Sequence, residues 1–267
     1  KIMVRSLWTA ATGMNGQQSN IDAISNNLSN VNTTGYKQQR VEFEDLIYQN
    51  VKLAGTPATE DTVTPVGIQQ GTGVKIGATQ RIMNQGSLQN TGVDTDVAIV
   101  GEGFFRVQQY DGSYAYTRDG SFKVDSNGQL VTNNGLRVMP EIILPEGFDV
   151  STLNITQTGL VSVKVNGGND PVEVGQIELY RFPNAVGLQA EGDNLFKVTN
   201  ASGEAIPGRP GYEGFGDTRH KFLEMSNVSV VNEMVQMKSI GGVALAIVIL
   251  LAMVTIHEFG HYVAGKL

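Results

Sequence analysis

The chain has no cysteine, which excludes disulfides and thiolate-ligated metals. It has no run of lysine or arginine either. With 26 acidic against 19 basic residues, a net charge of −7 and a pI near 5.0, it offers nothing that nucleic acid would bind. No basic segment followed by an apolar core opens the chain, so no cleavable secretory signal is expected. Groups arranged for catalysis are equally sparse before residue 238. Gly101-Glu102-Gly103 lacks the third spaced glycine, the lysine and the following helix of a phosphate loop, and reads as a tight turn between strands. Asp94, Asp96, Asp119 and Asp125 stand beside turn residues, where carboxylates accept backbone N–H bonds, so they read as structural rather than as calcium ligands or an acid pair. His220, between Arg219 and Lys221, has no neighbouring ligand type and is expected to be an exposed boundary residue.

What is present is a core's worth of apolar residues, 40% of 267, enough for one large or two modest domains. The element that organises the rest is a helix expected over residues 6–32. Leu7, Met14, Ile21 and Leu28 recur every seven residues, and Ala10, Gln17, Ile24 and Val31 form a second row three positions on. That a/d seam must pack against other helices, because one helix cannot bury it. Its remaining faces carry amides and hydroxyls with few charges, which suggests contact with further protein rather than water. Residues 36–50 fit a short strand or a helical turn. Leu53 to Thr64, rich in Thr, Pro, Ala and Gly, reads as an extended linker.

From Val66 to about Arg219 the punctuation is that of an all-β domain. Gly71-Thr-Gly73, Asp111-Gly112, Asp119-Gly120, Asn127-Gly128 and Asn134-Gly135 separate short apolar runs. The clearest hairpin is Leu160–Val165 with Val172–Val174 and Ile177–Leu179, with Val161, Val163 and Val165 on one face and Ser162 and Lys164 on the other.

Several of these blocks are family signatures. Ser25-Asn-Asn-Leu-Ser-Asn-Val-Asn-Thr-Thr-Gly-Tyr-Lys37 resembles the N-terminal signature of the bacterial flagellar rod and hook family, and Met3-Val-Arg-Ser-Leu-Trp-Thr-Ala-Ala-Thr-Gly-Met14 resembles its distal-rod members. Asp96-Val-Ala-Ile-Val-Gly-Glu-Gly-Phe-Phe105, Tyr116-Thr-Arg-Asp-Gly-Ser-Phe122 and Leu223-Glu-Met-Ser-Asn-Val-Ser-Val-Val-Asn-Glu-Met-Val235 follow in the family's order. The resemblance implies a non-enzymatic structural subunit of the basal-body distal rod. Its fold would be mainly β with terminal α-helices: a coiled-coil-like helical layer plus an all-β domain. It further implies export by the flagellar type III apparatus, a homo-oligomer without cofactor in a periplasm-spanning rod, and proximal rod, hook and ring proteins as partners. The expected organisation is a helix and signature turn over 1–37, a linker over 38–65, a β domain over 66–222 and a shortened C-terminal helix over 223–238. That last helix is expected to restart from Ser226, with Ser226 or Asn227 as its cap, and to lay Val228, Val231 and Val235 against the first.

The resemblance stops at Met237-Lys238. Ile240 to Ile256 is 17 residues without a charge or amide, at the short end for a membrane span, and makes residues 239–267 an extra C-terminal apolar, transmembrane-like helix. His257-Glu258-Phe259-Gly260-His261 follows, placing two histidines one helical turn apart around a glutamate. His257 and His261 could hold one Zn²⁺, and Glu258 could deprotonate a metal-bound water. The segment resembles the first transmembrane helix of a site-2-type intramembrane metalloprotease. That family takes a third ligand, an Asp, from a later membrane helix, so the motif here is incomplete and no catalysis is expected of it. A membrane-embedded zinc metalloprotease fragment, or a composite of rod and protease sequence, is the alternative reading, and the tail would favour the inner membrane.

Overall fold

The computed structural model describes residues 2–55, 65–165, 170–240 and Gly242, and the chain divides into two compact units. The first unit contains the chain up to Leu28, residues 39–80 and the segment from Ser229 onward. Its main element is α1 (Ile2–Ser29), which has no proline and no β-branched run to break it and ends where Asn30 begins a series of turns. Gly13 and Gly16 each cost about 1 kcal/mol relative to alanine in a helix interior. At Gly16 there is a reason for the cost: an added Cβ would lie 3.0 Å from the Phe43 ring, so the helix sits close against the strand beneath it. That strand is β1 (Gln39–Asp45), which settles the ambiguity over residues 36–50. Residues 39–45 and 49–52, within the linker expected over 38–65, form β1 and β2 (Gln49–Lys52). Beyond the rest of that linker, β3 (Ile68–Gln70) pairs with β2, and β4 (Val74–Arg81) pairs with β1. Residues 56–64 lie outside the described residues.

Helical turns resume at residue 230, later than the expected start at Ser226 or Asn227. The first helical hydrogen bond runs from the Glu233 N–H to the Ser229 carbonyl. Asn227 does not cap this helix, because its side chain is engaged elsewhere. Among the described residues no helix is long and apolar enough to cross a membrane. The expected transmembrane-like helix over 239–267 and its motif His257, Glu258 and His261 lie almost wholly outside the described residues, which end at Ile240 and Gly242.

The second unit contains residues 29–38 and 81–228 and is all β. In chain order its strands are β5 (Leu88–Asn90), β6 (Val97–Val100), β7 (Phe105–Gln108), β8 (Tyr114–Thr117), β9 (Lys123–Val124), β10 (Leu130–Val131) and β11 (Arg137–Met139). They continue with β12 (Asn154–Ile155), β13 (Leu160–Val163), β14 (Val172–Gln176), β15 (Leu179–Arg181), β16 (Gln189–Gly192), β17 (Leu195–Lys197), β18 (Ile206–Gly208), β19 (Asp217–His220) and β20 (Phe222–Glu224). Seven form one antiparallel sheet in the order β16-β17-β8-β7-β11-β10-β9, and β12-β13-β14 form a second. The expected hairpin is β13 with β14, where Val161 and Val163 are fully buried; Leu179 instead begins β15.

Alternation along β7 shows why the sheet needs cover on both faces. Phe105 and Val107 are fully buried, while Arg106 and Gln108 point the other way. Phe105 joins Val97, Ile99, Phe122, Val161 and Leu179 in the main core and meets Phe122 edge-on at 5.0 Å between ring centres. A second cluster, of Phe104, Tyr116, Tyr180, Phe182, Leu188 and Phe196, is held by edge-to-face ring pairs.

Candidate assembly site

The signature turn carries the first surprise. Lys37 is 1% exposed, and a lysine is almost never buried unless something pays for its charge. Its Nζ donates to the Glu224 carboxylate at 2.6 Å and to the Asn84 carbonyl at 2.8 Å. Glu224, at the end of β20, is equally buried and accepts from four donors. Oε1 takes the Lys37 ammonium and the Gly86 N–H at 2.9 Å, and Oε2 takes Arg118 Nε at 2.8 Å and Nη2 at 2.7 Å. Arg118, just after β8, donates its Nη1 to the carbonyls of Gly101 and Gly103. The Gly-Glu-Gly turn therefore does the opposite of a phosphate loop: it presents carbonyl oxygens to a cation, not N–H groups to an anion. Its glycines are needed because Gly101 and Gly103 hold φ of 111° and 140°.

Backbone bonds complete the knot. The Gly35 N–H donates to the Glu224 carbonyl at 2.8 Å. Gly35 has φ of 67°, and a Cβ there would lie 2.6 Å from the Asp119 nitrogen, so no other residue fits the signature turn. Asn227 joins three segments: its Oδ1 accepts from the Gln38 N–H at 2.7 Å, and its Nδ2 donates to the carbonyls of Ile82 and Asn84. Replacing Asn227 with alanine takes the side-chain partner from the part-buried Gln38 N–H and Ile82 carbonyl, while the Asn84 carbonyl keeps its bond from Lys37, and should cost about 1–3 kcal/mol. Chemical denaturation of the Asn227→Ala chain measures this, and a change within error of zero removes Asn227 from the knot.

Burial pushes the Lys37 ammonium below the ordinary lysine value of 10.5; Glu224 opposes this and Arg118 adds to it. Burial also lowers Arg118, again against Glu224. Between the lowered folded value of Lys37 and 10.5 the unfolded chain binds more protons, so this group makes stability rise with pH across that window. A ¹³Cε titration of Lys37 is expected to show a midpoint below 10.5, and one at or above it contradicts the assignment.

In the first unit a parallel clasp holds the terminal segments. Asn27, 1% exposed, bonds the Gln39 backbone in both directions, at 2.8 and 2.9 Å, and donates to Glu233 Oε2 at 3.4 Å. Glu233, from the C-terminal signature, thus meets α1 through Asn27. The expected contact through Val231 and Val235 differs: they are 70% and 62% exposed. Of the seam, Ile24 is buried, Ile21, Leu28 and Val31 are partly buried, and Leu7 and Met14 are exposed together with Trp8. Val228 is buried in the second unit.

The remaining sequence candidates are structural. Asp119 and Asp125 accept N–H bonds from Ser121, Asn127 and Gln129. Asp96 accepts from the Thr91 hydroxyl, and Asp94 pairs with Lys221 at 2.6 Å. His220 is a correction: it is half-buried, with Nε2 2.6 Å from the Asp94 carbonyl oxygen, because β19 continues to it and turns it inward. Among the described residues no group of three His, Asp or Glu could hold a metal ion. A cavity of about 590 Å³ over the knot is lined by no hydroxyl, thiol or imidazole among the described residues. Sequence reasoning missed Asn27, Lys37, Arg118, Glu224, Asn227 and Glu233. No local signal in the sequence separates these residues from their polar neighbours in the signature blocks.

Two family models match parts of the chain. The family model described as "Flagella basal body rod protein" matches residues 7–37, and "Flagellar hook protein FlgE/F/G D1 domain" matches residues 98–163. The chain is 58% identical over 235 residues to the flagellar basal-body rod protein FlgG of Borreliella burgdorferi, covering 88% of this chain and 89% of the relative. Against the FlgG proteins of Caulobacter vibrioides and Bacillus subtilis identity is 44% over 231 residues and 37% over 241. Those alignments cover 86% and 88% of this chain and 87% and 89% of the relatives.

Proposed function

The chain belongs to the flagellar basal-body rod protein FlgG family, and from that we infer a structural subunit of the distal rod, working by assembly rather than by chemistry. The observation that supports an assembling role is the exposed apolar surface on its terminal helical segments: Leu7, Trp8 and Met14 on α1, and Val231, Met234 and Val235 beyond Ser229. Side chains of this size left in water on helical elements are the mark of a contact surface. We propose that Leu7, Met14, Ile21, Ile24, Leu28, Val231 and Val235 serve helix packing within and between subunits, whereas Val228 and Val31 belong to the second unit. The partners in this reading are further copies of the chain, proximal rod subunits, the hook and the ring proteins, in a periplasm-spanning rod reached by type III export.

The fully satisfied charge knot supports a mechanical role. A rod subunit that transmits torque needs its signature blocks fixed firmly in its β unit, and Lys37, Arg118 and Glu224 bring three of them to one carboxylate. The test is complementation: the full chain, expressed in a flagellated host lacking its own distal rod protein, should be recovered in isolated basal bodies. Its absence from basal bodies that otherwise contain the proximal rod overturns the reading.

For residues 239–267 our reading rests on sequence alone: a segment resembling an intramembrane protease helix, foreign to the rod family. The zinc pair His257 and His261 with Glu258 would need a third ligand to act. Mass spectrometry of the Glu-C peptide from Met234 to Glu258 decides whether cells make this join. Finding only separate rod and protease peptides sinks it.

A further inference from the structure

We propose that the cleft where the β7–β8 turn faces the β10–β11 turn is a saccharide-binding site, with the Tyr110 ring as its stacking platform. The site lies wholly within the second unit, and the proposal stands independently of the assembly reading above.

Antiparallel register builds one wall of the cleft. Gln108 ends β7 and is paired directly with Arg137 at the start of β11. Both side chains therefore leave the sheet on one face, opposite Phe105 and Val107. Asp125, Gly112 and Gly135 line more of the cleft, whose volume of about 410 Å³ falls within the range of about 300–1,000 Å³ for small-ligand sites. Both glycines hold positive φ, 84° and 78°, and neither puts a side chain beside the ring.

Tyr110 is 84% exposed, and a lone exposed ring is ordinary on a protein surface. This ring differs because it is tethered at its far end, where the hydroxyl donates to the Asn134 carbonyl on the facing turn. Strapped from one turn to the other, it keeps one orientation with its polar tip already satisfied. What it leaves open is its faces.

The polar groups around the ring have spare capacity. The Gln108 carboxamide has no hydrogen-bond partner among the described residues. The Arg137 guanidinium meets Glu141 at 3.7 Å, too long for a hydrogen bond, and is more than half exposed. Asp125 Oδ1 accepts two backbone N–H bonds, from Asn127 and Gln129, while Oδ2 has a single long one from Asn127 Nδ2 at 3.3 Å. A donor fork, an acceptor and an amide that does both thus line the cleft with one ring.

That combination selects the ligand class. An anion would meet Asp125, and a cation would meet Arg137. A peptide would need apolar anchors, and the one aliphatic side chain among the described residues of the lining, Val131, is buried. A pyranose answers every group: a flat face of C–H bonds lies on the ring. Its neighbouring hydroxyls, each donor and acceptor, bridge carboxylate, guanidinium and carboxamide. With little apolar area to bury, the Kd should be on the order of 1 mM.

The test uses the full chain in a detergent without a sugar headgroup. Cellobiose, lactose, maltose and diacetylchitobiose are titrated while ¹³C-labelled tyrosine rings are followed by NMR, and glycerol supplies hydroxyls without a ring. At least one of the disaccharides should shift the Tyr110 ring signal saturably, with a Kd below roughly 10 mM. No saturable shift with any of them, or an equal response to glycerol, overturns the proposal. Ligand-observed NMR then compares variants. Tyr110→Ala removes the platform and Arg137→Gln the donor fork, and each should weaken binding at least about tenfold. Both side chains are more than half exposed, so the variants should fold, with circular dichroism matching the wild type. Tyr212→Ala, at an exposed tyrosine outside the cleft, should bind as the wild type does. Undiminished binding in either cleft variant, or an equal loss in Tyr212→Ala, overturns the site.

Discussion

Glu224→Ala should lower the unfolding free energy by about 3–5 kcal/mol, a large share of the stability of any single domain. The substitution leaves Lys37 and Arg118 buried without their common anion, and it also orphans the Gly86 N–H. Lys37→Met provides the control. With Lys37 gone, one cation faces one anion, and the Asn84 carbonyl keeps its bond from Asn227 Nδ2 at 3.0 Å. The lysine variant should therefore lose clearly less than the glutamate variant in urea midpoints taken with equal slopes. If Lys37→Met proves the more damaging of the two, the carboxylate is not the centre of the knot.

The second large effect should appear in assembly and leave folding untouched. Leu7 and Met14 are 62% and 53% exposed, so Leu7→Gln with Met14→Gln removes little from the folded chain, within about 0.5 kcal/mol. Glutamine is also a good helix former. At an interface, each of these side chains is worth roughly 1.5–3 kcal/mol when fully buried. Losing both weakens association by about two to four powers of ten. Electron microscopy and sedimentation of the double variant should show unassembled, folded protein. Normal assemblies from this variant would mean that the exposed seam is not the contact surface.

The helical seam illustrates how far periodicity reaches. A seven-residue apolar pattern fixes which positions share a face, and α1 spans all of the seam except Val31, which lies in the turns after Ser29. Periodicity does not say which part of a face is covered within the chain. Gly16 and Asn27 settle that here, one by letting Phe43 approach and the other by bonding Gln39 and Glu233. The later start of the C-terminal helix has a similar cause. Ser226 and Asn227 look like caps in sequence, but Asn227 bonds Gln38, Ile82 and Asn84, and a side chain so engaged cannot also cap a helix. The place of His220 depends on one long-range fact that its neighbours do not carry, the carbonyl of Asp94 126 residues away.

The sequence by itself determined the all-β character of the central region, the long N-terminal helix, the turn role of Asp119 and Asp125, and the family. Each of these is written in neighbouring residues: alternation, heptads, Asx turns and contiguous signature blocks. Only the tertiary structure decided what the signatures are for. Lys37 and Glu224 are 187 residues apart, Arg118 and Glu224 106, and nothing local marks a charged residue as buried. A lone lysine reads as solvated until the fold places a carboxylate at 2.6 Å, because the desolvation of one charge is tolerable only when the opposite charge is delivered to the same point.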